Sequence, residues 1–278
     1  EPGEYNANFL IISNDTTDAE VVVSTSLNVT ATEVGGNVNG TWDLENSPYY
    51  VSQNILVQPG DALTIVPGVQ LYIANNVRFD IFGTLTAEGT EEDSIRFTQF
   101  DDYWLSINFA DVADDGSIIS YCVIEGSSNS GFQPYYGAVN ANSSNPTITH
   151  NAIRHSGHNH DRTSCNGVNL SSSNSIVTDN IFEDVIGTGI YVDGESNPEI
   201  SGNTFFGVGT YGIYLDGNHY SNPTIHSNLI ESCGNGIFFA SGNTTDSLSI
   251  IGNRIDGSNW AGVRLWNASN NNSIIKNN

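Results

Sequence analysis

The sequence predicts an all-β fold, a solenoid in which short strands stack coil upon coil. The overall composition and two recurring residues support this prediction. The chain has 278 residues, of which 28 are Gly and only 14% are charged, and it contains no Met. Asn, Ser, Thr, Val and Ile make up most of the remainder, which is typical of strands and turns and poor in helix-forming residues.

The first recurring residue is an Asn that lies between two short apolar segments, as in EISGNTF and TIHSNLI. Successive members are separated by 23 to 29 residues. We expect each Asn to adopt the left-handed backbone of a sharp corner. We also expect its amide to hydrogen-bond to the equivalent Asn one coil away, which would form a ladder. The predicted ladder residues are Asn151, Asn180, Asn203, Asn228, Asn253 and Asn277.

The second recurring residue is a Gly that opens an alternating strand, as in GIYV and GIFF. These glycines are Gly137, Gly167, Gly189, Gly212, Gly236 and Gly262. Three short strands between such corners make one coil of a parallel β-helix, and equivalent strands then stack about 4.7–4.9 Å apart. The inward residues should form two continuous stacks, Val168, Ile190, Ile213, Ile237 and Val263 in one and Ile153, Phe182, Phe205, Ile230 and Ile255 in the other.

This pattern resembles the right-handed parallel β-helix repeat family, the pectin-lyase-like superfamily with its asparagine ladder. Upstream, the phrases GTW, LTIVPGV, GTLTAEGT and IRFT are similar to the first coils of secreted surface β-helix proteins. The resemblance implies a right-handed parallel β-helix over residues 34–278 and a secreted or cell-surface location. Residues 1–33 contain two apolar runs without such corners, so we interpret them as a β extension that caps the first coil or donates a strand.

The resemblance also bears on catalysis. Lyases of this superfamily typically use a Lys or Arg base with Ca²⁺ or another charge neutraliser, and its hydrolases use clustered Asp residues. Here Lys276 is the only Lys, and the Arg residues do not share one column. We therefore predict no catalytic residue, although a polysaccharide lyase or hydrolase remains the enzymatic alternative.

The charge balance limits the choice of partner. Against 31 acidic residues stand only seven Lys and Arg, which gives a net charge of −24 at pH 7. Such a surface repels nucleic acid and attracts cations, so Ca²⁺ or a transition metal is the candidate cofactor. No apolar run is long enough to span a membrane. The chain opens EPGEYNANFL without an initiator Met, as expected either of a mature product of signal removal or of a trimmed chain.

Three groups of residues are candidates for chemistry or packing. His155, His158, His160 and Asp161 crowd one long coil and could bind a metal or serve acid–base chemistry, or they could form a polar loop without such a role.

Strand alternation places an aromatic column, Tyr191, Tyr214 and Phe238, on the outside, where it could bind carbohydrate or form an assembly face. Asp193 and Asp216 end successive strands and could share Ca²⁺ or be turn residues.

The three Cys residues are predicted to be thiols. Cys165 and Cys233 lie three coils apart, roughly 14 Å on the stacking distance between strands, whereas a disulfide needs Cα atoms within about 7 Å. Cys122 falls in the ladder column one coil before Asn151.

The sequence stops at NSIIKNN, on a predicted ladder Asn, and this suggests an incomplete last coil. We expect head-to-tail association in which Phe9, Leu10 and Ile11 complete the last coil of another copy beside Ile274 and Ile275. The predicted function is thus a self-associating extracellular structural protein. The alternative is a β-helix protein that binds or degrades polysaccharide.

Overall fold

The computed structural model describes residues 3–12, 20–128, 137–157, 165–217, 222–241, 248–266, 274–276 and 278. No helix occurs among them, and therefore none that could cross a membrane. The predicted all-β class is confirmed. An antiparallel hairpin at the N-terminus precedes a long parallel β-helix.

The hairpin consists of β1 (Gly3–Ile12) and β2 (Glu20–Val29), and the two strands form a separate two-stranded sheet. Their register pairs Gly3 with Val29 and Ile12 with Glu20. The β-helix begins with β3 (Thr32–Asn37), two residues before the predicted boundary at residue 34. Strand β3 pairs in parallel with β5 (Tyr49–Val57).

Each later coil contributes one strand to each of three faces. The first face contains β7 (Gln70–Ile73), β10 (Ile95–Gln99), β13 (Cys122–Glu125), β16 (Ala152–Arg154), β19 (Ile181–Glu183), β22 (Thr204–Phe206), β25 (Leu229–Glu231) and β28 (Arg254–Asp256). The second face contains β8 (Phe79–Ile81), β11 (Ile107–Phe109), β14 (Gly137–Asn142), β17 (Asn166–Ser171), β20 (Ile190–Asp193), β23 (Tyr211–Gly217), β26 (Asn235–Ser241) and β29 (Val263–Trp266). The third face contains β4 (Gly40–Trp42), β6 (Ala62–Ile65), β9 (Thr84–Glu88), β12 (Ile118–Ser120), β15 (Thr147–Thr149), β18 (Ile176–Thr178), β21 (Glu199–Ser201), β24 (Thr224–His226), β27 (Ser249–Ile251) and β30 (Ile274–Lys276). Strand β5 pairs with both β7 and β8 and so joins the first two faces into one 18-stranded sheet.

The hydrophobic core fills the space between the three faces. Both predicted inward stacks are confirmed by the strand register, in which Val168 pairs with Ile190 and Phe182 with Phe205. The third face adds a stack that runs through Ile148, Val177, Ile200, Ile225 and Ile250, all fully buried. Alternation within each strand leaves the residues between these positions on the outer surface.

The corners differ from the prediction in one respect. The left-handed residue is not the ladder Asn but the residue before it, as at Asp179 (φ 57°) and Ser227 (φ 58°). The prediction was wrong because the ladder Asn directs its own N–H along the axis to the next coil. The chain has therefore already turned at the preceding residue, where Asp, Ser or Gly tolerates a positive φ.

The glycines of the second recurring column allow successive coils to pack closely against each other. A Cβ at Gly189 would lie 2.5 Å from Cδ1 of Phe205 and 2.6 Å from the carbonyl oxygen of Gly212. Gly137 does not belong to this column, contrary to the prediction, because the register pairs it with Asn166. Ala138 takes the column position there, since Val139 pairs with Val168.

Candidate functional site

An inner asparagine ladder runs along the corner between the third and first faces. The Oδ1 atom of Asn180 accepts hydrogen bonds from the backbone N–H (2.9 Å) and from Nδ2 (3.0 Å) of Asn151. The Nδ2 atom of Asn180 donates to the carbonyl of Ile148 at 2.9 Å. The same pattern repeats at Asn203, Asn228 and Asn253, all buried. The predicted ladder is confirmed for these residues.

The inner ladder extends beyond these residues in both directions. Upstream, the backbone N–H of Cys122 donates to Oδ1 of Asn151 at 2.9 Å, so Cys122 occupies the predicted position. Downstream, Asn253 donates to Oδ1 of Asn278, not of the predicted Asn277. The spacing to Asn278 is 25 residues, the same as in the two preceding coils. Asn277 lies outside the described residues.

An outer asparagine ladder, which we did not predict, follows the exposed corner between the second and third faces. The backbone N–H of Asn174 donates to Oδ1 of Asn145 at 2.6 Å, and that of Asn197 donates to Oδ1 of Asn174 at 2.9 Å. Asn222 continues the series, and the carboxylate of Asp115 begins it. The signal for it was present as the recurring pairs Ser-Asn in SNPT, SNSI and SNPE. Each Oδ1 here accepts from the following coil, opposite to the inner ladder.

The outer strip of the second face carries the candidate binding residues. We define the strip as Asn169, Tyr191, Tyr214, Phe238 and Arg264, which are consecutive register partners on five neighbouring coils. The rings of Tyr191 and Tyr214 stack at 5.0 Å with an interplanar angle of 3°, and those of Tyr214 and Phe238 stack at 5.3 Å. The guanidinium of Arg264 lies 5.3 Å from the Phe238 ring centroid.

The ring stacking has a chemical consequence. A sugar ring binds an aromatic side chain through the ring face, but the facing sides of these three rings already contact one another. What the strip presents outward is therefore the ring edges and phenolic hydroxyl groups of Tyr191 and Tyr214, because Phe238 is only 7% exposed. The geometry supports a self-supporting aromatic ladder and hydrogen-bonding recognition, and disfavours a flat stacking platform.

Two carboxylates flank the strip. Asp193 and Asp216 lie two residues after Tyr191 and Tyr214 in their strands and fall in the same column one coil apart. Burial raises the pKa of Tyr191, and the carboxylates of Asp216 and Asp193 raise it further. Burial also raises the pKa of Tyr214, with Asp216 adding to the effect. Both hydroxyls therefore stay protonated at neutral pH and can donate hydrogen bonds.

A buried amide lies at one end of the strip. Asp80, Asn108 and Asn140 precede Asn169 in the same column, and Nδ2 of Asn140 donates to Oδ1 of Asn108 at 2.8 Å. This network stops at Asn140. Asn169 is only 6% exposed, and its Oδ1 has no hydrogen-bond partner within the part of the chain that the structure describes. A buried polar atom without a partner costs free energy unless a ligand or water satisfies it.

The predicted metal residues fall mostly outside the described residues. His158, His160 and Asp161 lie in the segment 158–164, which is not described. His155 is described, and its Nε2 lies 3.8 Å from Oδ2 of Asp184 one coil away. No group of three or more potential metal ligands occurs among the described residues. The metal site therefore stays a prediction.

The predicted thiols and assembly residues are also placed. Cys122, Cys165 and Cys233 are buried and form no disulfide, as predicted. Burial raises the pKa of Cys122 and raises that of Cys233 to about 11, so neither is a thiolate near neutral pH.

The proposed donor residues Phe9 and Ile11 lie in β1, where their Cα atoms pair with those of Val23 and Val21. Leu10, between them, pairs with Val22. Ile274 and Ile275 lie in β30, which pairs with β27. Both are partly exposed, at 47% and 40%.

The comparisons with known proteins bear on the fold. A family model described as right handed beta helix region matches residues 106–278. No curated protein and no solved structure matches the chain. The match covers more than half of the chain and coincides with the coils that carry both asparagine ladders. The chain therefore belongs to the right-handed β-helix family.

Proposed function

We propose that this protein is a structural surface protein outside the cytoplasm that associates with copies of itself through the N-terminal hairpin. The observation that carries the proposal is the isolation of that hairpin. Strands β1 and β2 pair with each other and with no other described strand. A two-stranded hairpin is only marginally stable by itself in water. Two strands of ten residues each therefore favour a partner surface.

The residue types at the paired positions support an intermolecular contact. Alternate Cα pairs join two apolar residues, Tyr5 with Leu27, Phe9 with Val23 and Ile11 with Val21. Three intervening pairs, Glu4 with Asn28, Asn6 with Ser26 and Asn8 with Ser24, are polar. Successive residues of a strand lie on opposite faces. The alternation of residue types in the sequence therefore favours one predominantly apolar face, although the pair Leu10 with Val22 interrupts the polar series.

Charge favours the hairpin over the solenoid walls as the contact between copies. The two strands contain only two charged residues, Glu4 and Glu20, whereas the whole chain carries a net charge of −24. Two copies therefore repel each other least where their hairpins make the contact. Ile274 and Ile275 remain the predicted acceptor.

Deletion of residues 1–29 tests this proposal, with the particle mass followed by light scattering. We expect the full chain to form multimers and the deletion variant to be monomeric. Phe9→Ser should weaken association, whereas the matched change Asn8→Ser, at the adjacent polar pair, should not. Ile274→Ser tests the acceptor in the same assay. A full chain that is monomeric, or a deletion variant with unchanged mass, would contradict the proposal.

A second candidate function is polysaccharide binding along the outer strip, with degradation as its enzymatic form. The unpartnered Oδ1 of Asn169 favours it, because Asn169 is the register partner of Tyr191 in the strip and offers a buried acceptor to a ligand. Amide, hydroxyl and carboxylate groups repeated from coil to coil match the repeated hydroxyl groups of a linear glycan. The β-helix fold is consistent with surface and polysaccharide-related proteins, but a fold alone assigns no activity.

A binding screen against neutral and acidic polysaccharides tests the second candidate. Asp216→Asn and Tyr214→Phe should weaken binding to any polysaccharide that the protein retains, and Asp256→Asn on the first face is the matched control. Release of reducing ends or of unsaturated products would identify degradation. Binding that Asp216→Asn and Tyr214→Phe leave unchanged would place the glycan elsewhere.

A further inference from the structure

A small polar pocket opens on the outside of the first face, near the N-terminal end of the β-helix. Its volume is about 260 Å³. This is somewhat below the roughly 300–1,000 Å³ of pockets that hold drug-sized ligands, so the pocket suits a smaller molecule. Its lining residues are Gln70, Leu71, Tyr72, Arg96, Thr98 and Glu125.

The one carboxylate in the pocket is already paired. Oε2 of Glu125 accepts a hydrogen bond from Nε of Arg154 at 2.9 Å, which balances its charge. Oε1 of Glu125 accepts from the hydroxyl of Thr98 at 3.1 Å. Both oxygens of Glu125 are therefore engaged, and Glu125 is not a counterion for Arg96.

Arg96 is the uncompensated charge of the pocket. The other arginines on this face, Arg154 and Arg254, lie within ion-pairing distance of carboxylates. Arg96 has no carboxylate within 4.0 Å among the described residues, although acidic residues outnumber basic ones 31 to 7 in the chain. A guanidinium presents a planar fork of donors that matches a carboxylate.

The neighbouring groups add hydrogen-bonding capacity beside Arg96. The hydroxyl of Tyr72 donates to Oε1 of Gln70 at 3.3 Å, which orients the amide and leaves its Nε2 hydrogens without a partner among the described residues. The hydroxyl oxygen of Thr98 donates to Glu125 but retains acceptor capacity. A ligand can therefore find a cation, an amide donor and a hydroxyl acceptor in one pocket.

We propose that this pocket binds a small hydroxylated organic carboxylate, whose carboxylate group pairs with the guanidinium of Arg96 and whose hydroxyl groups contact Gln70 and Thr98. The site lies on a different face from the outer strip, and no residue of the hairpin lines it. It depends on neither candidate function described above.

Isothermal titration calorimetry with D-gluconate and D-sorbitol tests the proposal. The two molecules differ only in that a carboxylate in one replaces a CH₂OH group in the other. We expect D-gluconate to bind and D-sorbitol not to bind. Arg96→Gln should weaken gluconate binding at least about tenfold, which corresponds to about 1.4 kcal/mol for the lost charge-assisted pair.

Arg254→Gln is the matched control. Arg254 lies in the same outward column six coils further along and already has Glu231 and Asp256 as partners. The substitution removes the same charge as Arg96→Gln. It should leave gluconate binding unchanged. Gln70→Glu, which places a carboxylate beside Arg96, should weaken binding as Arg96→Gln does. Circular dichroism checks that each variant is folded. The proposal is overturned by equal binding of gluconate and sorbitol, by no binding of gluconate, or by unchanged affinity in Arg96→Gln.

Discussion

Asn203 illustrates how much a single side chain contributes to this solenoid. Its Oδ1 accepts the backbone N–H and Nδ2 of Asn180, both at 3.0 Å, and its Nδ2 donates to the carbonyl of Val177 at 2.8 Å. All of these atoms are buried, so water cannot replace the amide. Asn174, in the outer ladder, makes comparable bonds at an exposed corner.

Replacing each residue by Ala separates the two situations. Asn203→Ala leaves a buried N–H and a buried carbonyl unpaired, which we expect to lower the free energy of unfolding by about 3 kcal/mol. Asn174→Ala exposes the corresponding groups to water and should cost less than about 1 kcal/mol. Urea unfolding of both variants measures the difference. Equal decreases in the free energy of unfolding would show that burial does not determine how much a ladder hydrogen bond contributes to stability.

The phenol of Tyr191 makes stability depend on alkaline pH. Its pKa in the folded state is raised, chiefly by burial and further by Asp216 and Asp193, above the value of about 10 expected for an unfolded chain. The unfolded state therefore binds fewer protons above pH 10, and stability falls as pH rises. The stabilising contribution is fully present below about pH 10 and is lost as pH approaches the folded pKa.

Tyr191→Phe removes this contribution and keeps the ring. We expect the variant to lose less free energy of unfolding than the wild type between neutral and strongly alkaline pH. Thermal unfolding at a series of pH values, with phenolate absorbance followed in parallel, provides the measurement. Identical pH profiles for both proteins would contradict the assigned role of Tyr191.

At the scale of the element, the glycine near the start of each second-face strand from β17 to β29 allows successive coils to approach closely. A Cβ at Gly189 would overlap Phe205 and the backbone of Gly212. Among the described residues, a Cβ at Gly262 would meet only Cγ2 of Ile255, at 3.8 Å. Neither glycine has a positive φ, so backbone strain does not separate the two positions.

Gly189→Ala should therefore destabilise the protein by about 2 kcal/mol or more, as expected of overpacking in a close-packed core. Gly262→Ala, in the same column, should change stability by less than about 1 kcal/mol. Thermal denaturation of the two variants measures the contrast. Similar melting temperatures would mean that the coils can separate at Gly189 at little cost.

The sequence was sufficient to predict the elements that repeat, and the reason is physical. A buried ladder tolerates almost nothing but Asn, and an inward stack needs apolar residues at a period of two, so Asn180 and Ile190 are visible in the sequence. Where coil length changes, the register cannot be read from spacing. Gly137 was therefore chosen in place of Ala138. Asn277 was chosen in place of Asn278 although the two preceding coils have the same spacing of 25 residues that leads to Asn278.

The candidate sites were harder to predict because they depend on contacts between coils. The outward position of Tyr191 and Tyr214 follows from alternation, but the parallel stacking of their rings does not. The unpartnered amide of Asn169 and the pairing of Glu125 with Arg154 depend on distances across neighbouring coils. The outer ladder was missed because Ser-Asn-Pro also occurs in ordinary turns.

At the scale of the whole molecule, charge is the dominant property. A net charge of −24 on one chain opposes its own compact state. Added salt shortens the range of this repulsion to about 10 Å at 0.1 M ionic strength. We expect the melting temperature to rise from low to moderate salt.

Scanning calorimetry in NaCl and KCl at equal ionic strength checks this expectation. The two salts should act alike, because screening depends on ionic strength and not on the identity of the cation. A melting temperature that rises with only one of the two salts would indicate a specific cation site. A melting temperature that falls with added salt would contradict the role assigned to self-repulsion.

The two asparagine ladders also determine how such a chain can change in length. Wherever both ladders are described, every coil from residue 145 onward supplies one inner and one outer Asn. The donor-to-acceptor direction along the axis is opposite in the two ladders. A duplication of residues 180–202 would insert one of each, Asn180 and Asn197, and leave every donor matched. A shorter insertion would break at least one ladder. A duplication within the gene can thus lengthen the solenoid and keep both ladders intact only if it adds whole coils.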